Sequence, residues 1–524
     1  MTTITRNLRR AGLALLMAGS ALAAPIQADT GGTPTTATLD AAHPGPEYHK
    51  EIFTQFAEHL GNGIYGGLWV GKGSKIPNTN GFRNDVVSAL RELQVPVIRW
   101  PGGCFADEYH WREGVGPQNT RPVKVNTHWG GVTEPNTVGT DEYFELLRQV
   151  GAEAYVSGNV GDAAPREMAE WVEYMTAPAG SLADERGKNG HKAPYKLAYF
   201  GIGNELWGCG GSMRPEFAAD ETRRYATFVK VPDGTKTLKI ASGANVDDYN
   251  WTDTMMRIAG DKVDGLSLHY YTLPGGGWPP HADPINFTEA DWADTLWNAE
   301  HIDELITKHS AIMDKYDPAK RVMLAVDEWG TWFAQDPGTH PGFLRQQNTL
   351  RDALVASTTL DIFAKHADRV RMSAIAQMVN VLQAMILTDG SKMVKTPTYW
   401  VYDMYKPWQD ATVLPIKIDG PNYAAGKFTM PAVSGSTVKA KDGLIHVALS
   451  NLDPNQPNTV TIALDGVNAS SVDGTILTAA AMNAHNTFEA PEAIKPAAFS
   501  AARLEGGKLV VTLPAKSVVV LTLR

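Results

Sequence analysis

YFGIGNELWG, residues 199–208, is an apolar run that stops at Gly203-Asn204-Glu205, and MLAVDEWGTWF, residues 323–333, stops the same way at Asp327-Glu328-Trp329. Each reads as a strand of a parallel sheet with polar residues at its C-terminal end. Outward from these two stretches, residues 45–405 alternate short β-rich runs with amphipathic helical patterns, the signature of βα units. The strand candidates are residues 64–70, 96–100, 153–157, 196–203, 238–241, 265–270, 322–326 and 372–377. Between them, residues 82–93 bring Phe82, Val86, Val87, Leu90 and Leu93 near one helical face, and residues 164–175 and 350–366 repeat the idea. Eight units are the number that closes a (βα)8 TIM barrel. The competitor, a doubly wound open sheet, lacks the Gly-x-Gly-x-x-Gly turn after an early strand.

After the barrel the texture changes. Residues 445–449, 460–464, 475–477, 509–513 and 518–523 are short β-prone runs separated by Gly, Asn, Asp and Pro, which predicts an all-β sandwich of jelly-roll type over 406–524. A β-prone stretch at 36–39, within a leader at 29–44, is a candidate to pair with that sandwich.

Composition removes several classes of function. With 43% hydrophobic and 20% charged residues the chain buries a large core. The excess of 57 Asp+Glu over 47 Lys+Arg, a net charge of −10, excludes a general nucleic-acid binder. Two cysteines make neither a disulfide framework nor a four-cysteine zinc site. No His-Glu-x-x-His, Cys-x-x-Cys or acidic calcium loop occurs, so no cofactor and no metal are expected. At the N-terminus, Arg6, Arg9 and Arg10 precede the apolar run AGLALLMAGSALAA at 11–24. This reads as a signal peptide over 1–28 and predicts export to the periplasm or the extracellular space. No stretch is long and uncharged enough to span a bilayer, so no membrane partner is expected.

In a (βα)8 enzyme the reactive groups stand at the C-terminal ends of strands, and Glu205 and Glu328 end strand candidates four and seven, which face each other across the mouth. Glycosidic hydrolysis needs one carboxylic acid to protonate the leaving oxygen and one carboxylate to attack or to activate water. Glu205 is the candidate acid and Glu328 the candidate nucleophile. Asn204 is placed to bond the hydroxyl beside the anomeric carbon. The loop TLPGGGWPP, residues 272–280, offers Trp278 as a sugar-stacking ring or forms a plain surface turn.

Six stretches, FAEHLGNGIYGGLW (56–69), IRWPGGCFADEYHW (98–111), GIGNELWG (201–208), LSLHYY (266–271), VDEWGTWF (326–333) and AQMVNVLQ (376–383), resemble glycoside hydrolase family 51 in order along nearly the whole chain. The resemblance implies a retaining α-L-arabinofuranosidase working by double displacement, with Glu205 as acid/base and Glu328 as nucleophile. It further implies that Glu58, Asn204, Tyr271 and Gln377 bind the terminal arabinofuranose and that His269 is a buried histidine at the site. Trp207, two residues after Glu205, flanks the proposed site as wall or packing. The implied substrates are arabinan, arabinoxylan and their oligosaccharides, and the implied assembly is a homo-oligomer, often a hexamer. One position departs from the pattern: many relatives carry a sugar-contacting Asn after the Gly-Gly of the second stretch, where this chain has Cys104. Cys104 and Cys209 should both lie near the rim, as a disulfide fixing the acid/base loop or as two unrelated thiols. The alternatives are a retaining β-xylosidase or β-glucan endohydrolase on the same fold, and an inactive carbohydrate-binding protein. The last would usually have lost one of the two glutamates, and both are present.

Overall fold

The computed structural model describes residues 34–524; the signal-peptide reading of 1–28 lies outside them. Eight parallel strands close into a barrel: β1 (Thr54–Phe56), β2 (Val97–Trp100), β3 (Glu153–Gly158), β4 (Leu197–Ile202), β5 (Leu238–Asn245), β6 (Gly265–Thr272), β7 (Met323–Thr331) and β8 (Val370–Ile375). The ring is shut by β8 against β1, with Ala374 opposite Thr54 and Ile375 opposite Gln55. The helices that cover it bury one face each: in Asn84–Glu92 the buried residues are Val86, Val87, Ala89 and Leu90. The helix Leu350–Lys365 is the exception. It is buried all round except at Lys365, because it packs on β7 and also on the strand Val433–Lys439 of the C-terminal region.

The first strand is not the one the sequence predicts. Residues 64–70 form turns with only isolated bridges, Tyr65 to Trp69 and Trp69 to Phe82. The glycines within the run are the reason. Gly66 takes φ 80°, and at Gly67 the chain folds back so tightly that a Cβ would lie 2.0 Å from the Asn62 carbonyl oxygen. The barrel uses Thr54-Gln55-Phe56 instead, a strand too short and too polar to register as a hydrophobic pattern. Glu58 therefore follows β1 rather than preceding it.

Beyond the barrel two sheets face each other. One has five strands and takes Thr35–Asp40 into its interior, antiparallel to Ile416–Asp419 and parallel to Asn458–Asp465. The other has seven and is built around Val433–Lys439, Ile445–Asn451 and Ser517–Leu523. Along Ser517–Leu523, Val519, Leu521 and Leu523 enter the core between the sheets, while Val518 and Val520 join the core shared with the barrel. A strand buried on both faces explains its unbroken Val-Val-Val-Leu run.

Candidate active site

Glu58, Glu205 and Glu328 converge from the ends of β1, β4 and β7 on one cavity of about 380 Å³. At the end of β4 the chain turns through Gly203, φ 75°, and Glu205 itself takes φ 45°. The β7 carboxylates are aimed by a bulge. Ser267 of β6 pairs with Ala325 but His269 pairs with Glu328, so β7 carries one extra residue there. Neighbours on a regular strand point to opposite faces. Here Asp327 and Glu328 both reach the same imidazole: Asp327 Oδ1 lies 3.2 Å from His269 Nε2, and Glu328 Oε2 lies 3.5 Å from Nδ1.

Arg99, on β2, is buried and ties the acidic residues together. Its Nη1 donates to Glu328 Oε1 at 2.8 Å and its Nη2 to Asn204 Oδ1 at 2.6 Å, while the guanidinium lies over the Phe56 ring. Tyr271 Oη donates to Glu328 Oε2 at 2.8 Å. Glu205 Oε1 is 2.8 Å from His269 Nδ1. Burial raises the Glu205 pKa above the usual carboxylate range against the His269 hydrogen bond, and the Glu328 charge adds to the rise. Burial opposes charge on His269, but the Glu328 charge and its contacts with Asp327 and Glu205 win and push it up to about 10. Glu58 accepts from the Phe105 amide at 3.1 Å, from Trp129 Nε1 at 2.8 Å and from Gln377 Nε2 at 2.9 Å. Burial and the Glu328 charge lift Glu58 to about 7.

Of the residues singled out from the sequence, Glu58, Cys104, Glu205, Trp207, Tyr271, Trp278, Glu328 and Gln377 line the cavity. Asn204 and His269 stand behind it, buried against Arg99 and Glu205. Trp278 is 69% exposed, its ring edge-on to Trp332 at 5.0 Å. Cys104 and Cys209 are joined by a disulfide, whose sulfurs lie 3.8 and 3.4 Å from Glu205 Oε2. Glu205, His269 and Glu328 present ligand-type atoms to one another, but His269 and Arg99 already meet the two carboxylates with positive charge.

Sequence reasoning missed Arg99, Asp107, Trp129, Tyr155 and Asp327. A lone Arg in the apolar strand Val97–Trp100 was a usable signal, since a buried cation demands an anionic partner. Asp107 carried none. Its carboxylate accepts from the amides of Val160, Gly161 and Asn204, so it clips the loops after β3 and β4 to the short helix Cys104–Glu108.

Paired carboxylates at the ends of β4 and β7, over a sugar-sized cavity walled by aromatic rings, define a glycoside hydrolase site on a (βα)8 barrel. Residues 89–275 match the α-L-arabinofuranosidase 1 domain and residues 327–517 the α-L-arabinofuranosidase C-terminal domain. The crystal structure of the GH51 arabinofuranosidase from Xanthomonas axonopodis pv. citri superposes with a TM-score of 0.93 at 60% identity, over 94% of this chain and all of that one. An enzyme of Bacteroides ovatus named intracellular exo-α-L-arabinofuranosidase is 51% identical over 478 residues, 91% of this chain and 93% of the relative. A Streptomyces lividans enzyme named intracellular exo-α-(1→5)-L-arabinofuranosidase is 28% identical over 91% of this chain and 73% of its own length. The chain belongs to glycoside hydrolase family 51, the family of the α-L-arabinofuranosidases.

These relatives correct one expectation. The Bacteroides ovatus and Streptomyces lividans enzymes are named intracellular, so the export predicted from Arg6, Arg9, Arg10 and the apolar run at 11–24 does not stand. The physical reason is that a short apolar run behind arginines is a compositional pattern, one that N-terminal segments can carry without being exported.

Proposed function

We propose that this chain removes terminal α-L-arabinofuranosyl groups from arabinose-containing oligosaccharides and polysaccharides with retention of configuration, Glu328 acting as nucleophile and Glu205 as acid/base. The observation that carries the reading is the approach of the two carboxylates: one oxygen of each, with a ring nitrogen of His269, lies within 4.8 Å of the others. That supports the separation of about 5–5.5 Å used for double displacement rather than the about 6.5–9.5 Å that leaves room for a water. Glu205, whose hold on its proton is strengthened by burial and by the Glu328 charge, gives that proton to the leaving oxygen as Glu328 bonds to the anomeric carbon. Arg99 and Tyr271 hold Glu328 by both oxygens and so orient its attack. Water then enters, Glu205 takes its proton, and the ester to Glu328 breaks.

Glu58, Gln377 and Tyr271 line the floor where the terminal sugar sits. Asn204 stands behind it, its Oδ1 held by Arg99 and its amide nitrogen 4.0 Å from Cys209 Sγ, and would meet the hydroxyl next to the anomeric carbon from there. Trp207 and Trp278 wall the side where the remainder of the substrate leaves. A homo-oligomer belongs to the same reading, and sedimentation equilibrium measures it. Glu205→Gln and Glu328→Gln should each lower kcat/KM by about 10²-fold or more. Proton NMR of the first product should show the α-anomer. Release of the β-anomer first, or near-normal rates in either variant, sinks the assignment.

A further inference from the structure

His269 is set between carboxylates on both of its nitrogens. Nδ1 faces Glu205 Oε1 at 2.8 Å and Glu328 Oε2 at 3.5 Å, and Nε2 faces Asp327 Oδ1 at 3.2 Å. The Glu205 approach is a hydrogen bond, whereas the Asp327 approach is an ion-pair contact in which Oδ1 has no other partner, so a positively charged ring with an N–H on both nitrogens is the form that suits the two sides. Asp327 is itself held from three elements. Tyr155 Oη on β3 donates to Asp327 Oδ2 at 2.7 Å, Arg99 Nε on β2 lies 3.7 Å from the same oxygen, and the β7 bulge turns the residue inward. Burial opposes its ionisation, but the Arg99 charge and the His269 contact keep its pKa below the ordinary carboxylate value. The remaining charged and titratable groups around the ring are Glu205 from β4, Glu328 from β7, Arg99 from β2, Tyr271 from β6 and, beyond Glu328, Glu58 from β1.

We propose that Asp327 is a positioning residue for the two-step reaction: it keeps His269 cationic and aimed at the gap between Glu205 and Glu328, so that the imidazolium passes from two carboxylates to Glu205 alone when Glu328 becomes esterified. The inference rests on the roles assigned above to Glu205 and Glu328. In the free enzyme Glu328 draws on the imidazolium and repels a negative Glu205, and both effects keep the proton on Glu205. In the first step the bond from the anomeric carbon to the leaving oxygen breaks, the Glu205 proton passes to that oxygen, and a Glu328 oxygen bonds to the carbon. Glu328 then carries no charge, so its repulsion is gone and the Nδ1–H serves Glu205 only. Both changes stabilise the Glu205 carboxylate in the state where it must act as a base. In the second step water attacks the anomeric carbon, its proton goes to Glu205, and Glu328 leaves as a carboxylate. His269 keeps both ring protons throughout.

The test is Asp327→Asn. Without the counter-ion, His269 loses its charge at lower pH, and Glu205 then keeps its proton to higher pH. The alkaline limb of kcat/KM on an aryl arabinofuranoside with a poor leaving group should move up by about one pH unit. With a dinitrophenyl leaving group, where the glycosyl-enzyme accumulates, kcat should fall about tenfold because the base is weaker in supply, while kcat/KM changes far less. Tyr155→Phe removes only the hydroxyl that holds Asp327 and should shift the limb the same way by less, which decides the matter if Asp327→Asn does not fold. A uniform loss of rate with the limb in place, or no change, overturns the inference. Glu205→Ala on the dinitrophenyl substrate tests the underlying assignment separately. Azide should restore its turnover, and failure of that rescue sinks the acid/base role, whereas rescue beside an unmoved limb in Asp327→Asn sinks only the role of Asp327.

Discussion

At the scale of the residue, the smallest side chains constrain the site as firmly as the charged ones. A Cβ on Gly103 would stand 3.0 Å from Glu58 Oε2 and 3.2 Å from Glu328 Oε1, so the loop after β2 passes between two carboxylates and a methyl group there would press on both. Gly103→Ala should therefore lower kcat with little change in circular dichroism or melting temperature, and by less than the about 10²-fold that a displacement of about 1 Å costs, because the proposed nucleophile need move by only a few tenths of an ångström. An unchanged kcat would mean that the loop gives way and that the carboxylates are not pinned. The two central glutamates were legible in the sequence because each ends an apolar run. Asp327 was not, since alternation along a strand assigns it to the face opposite Glu328 and only the bulge reverses that. Asp107 was equally hidden, because its work is done on backbone amides, which no side-chain pattern records.

At the scale of the element, the helix Leu350–Lys365 shows where periodicity stops being informative. An amphipathic stripe predicts one buried face, but a helix wedged between β7 and a strand of the C-terminal sheets buries polar residues too. Asp361 is one of them, accepting from Ser436 Oγ at 2.6 Å, Ser434 Oγ at 3.0 Å and Tyr405 Oη at 3.0 Å. Burial outweighs these bonds and raises its pKa to about 7. The folded chain thus holds a proton between roughly pH 4 and pH 7 that the unfolded chain releases, so this group makes stability fall as pH rises through that window and level off above it. Asp361→Asn, which cannot ionise, should flatten the fall in melting temperature between pH 5 and pH 8, a window that holds about 3 kcal/mol of the linkage in the native chain. Part of the slope should survive, because burial and the charges of Asp303 and Asp361 lift Glu300 to about 7 as well. An Asp361→Asn profile parallel to that of the native chain would show that Asp361 is ionised in the folded protein throughout.

At the scale of the whole molecule, the chain begins its described course inside the sheets where it ends. Thr35–Asp40 lies between Ile416–Asp419 and Asn458–Asp465, and only then does the chain build the barrel and return. Seams between barrel and sheets are polar as well as apolar: Trp292 Nε1 donates to the Leu452 carbonyl at 2.9 Å, and Ser357 and Ser450 share a hydrogen bond at 2.8 Å. Val438, Ala448, Leu477, Val518 and Val520 belong to one continuous core with the barrel residues. The sheets also keep a core of their own, with Leu39 in it, but Val519 and Leu521 of that core alternate along one strand with Val518 and Val520 of the shared core, so a defect placed far from the active site should be felt there. Leu39 is fully buried between the two sheets. Leu39→Ala should remove about 2–5 kcal/mol. It should lower the midpoint of a single calorimetric transition, and residual arabinofuranosidase activity should vanish at that same lowered temperature. Two resolved transitions, with activity outlasting the first, would mean that the sheets unfold alone and that the barrel does not need the strand that precedes it.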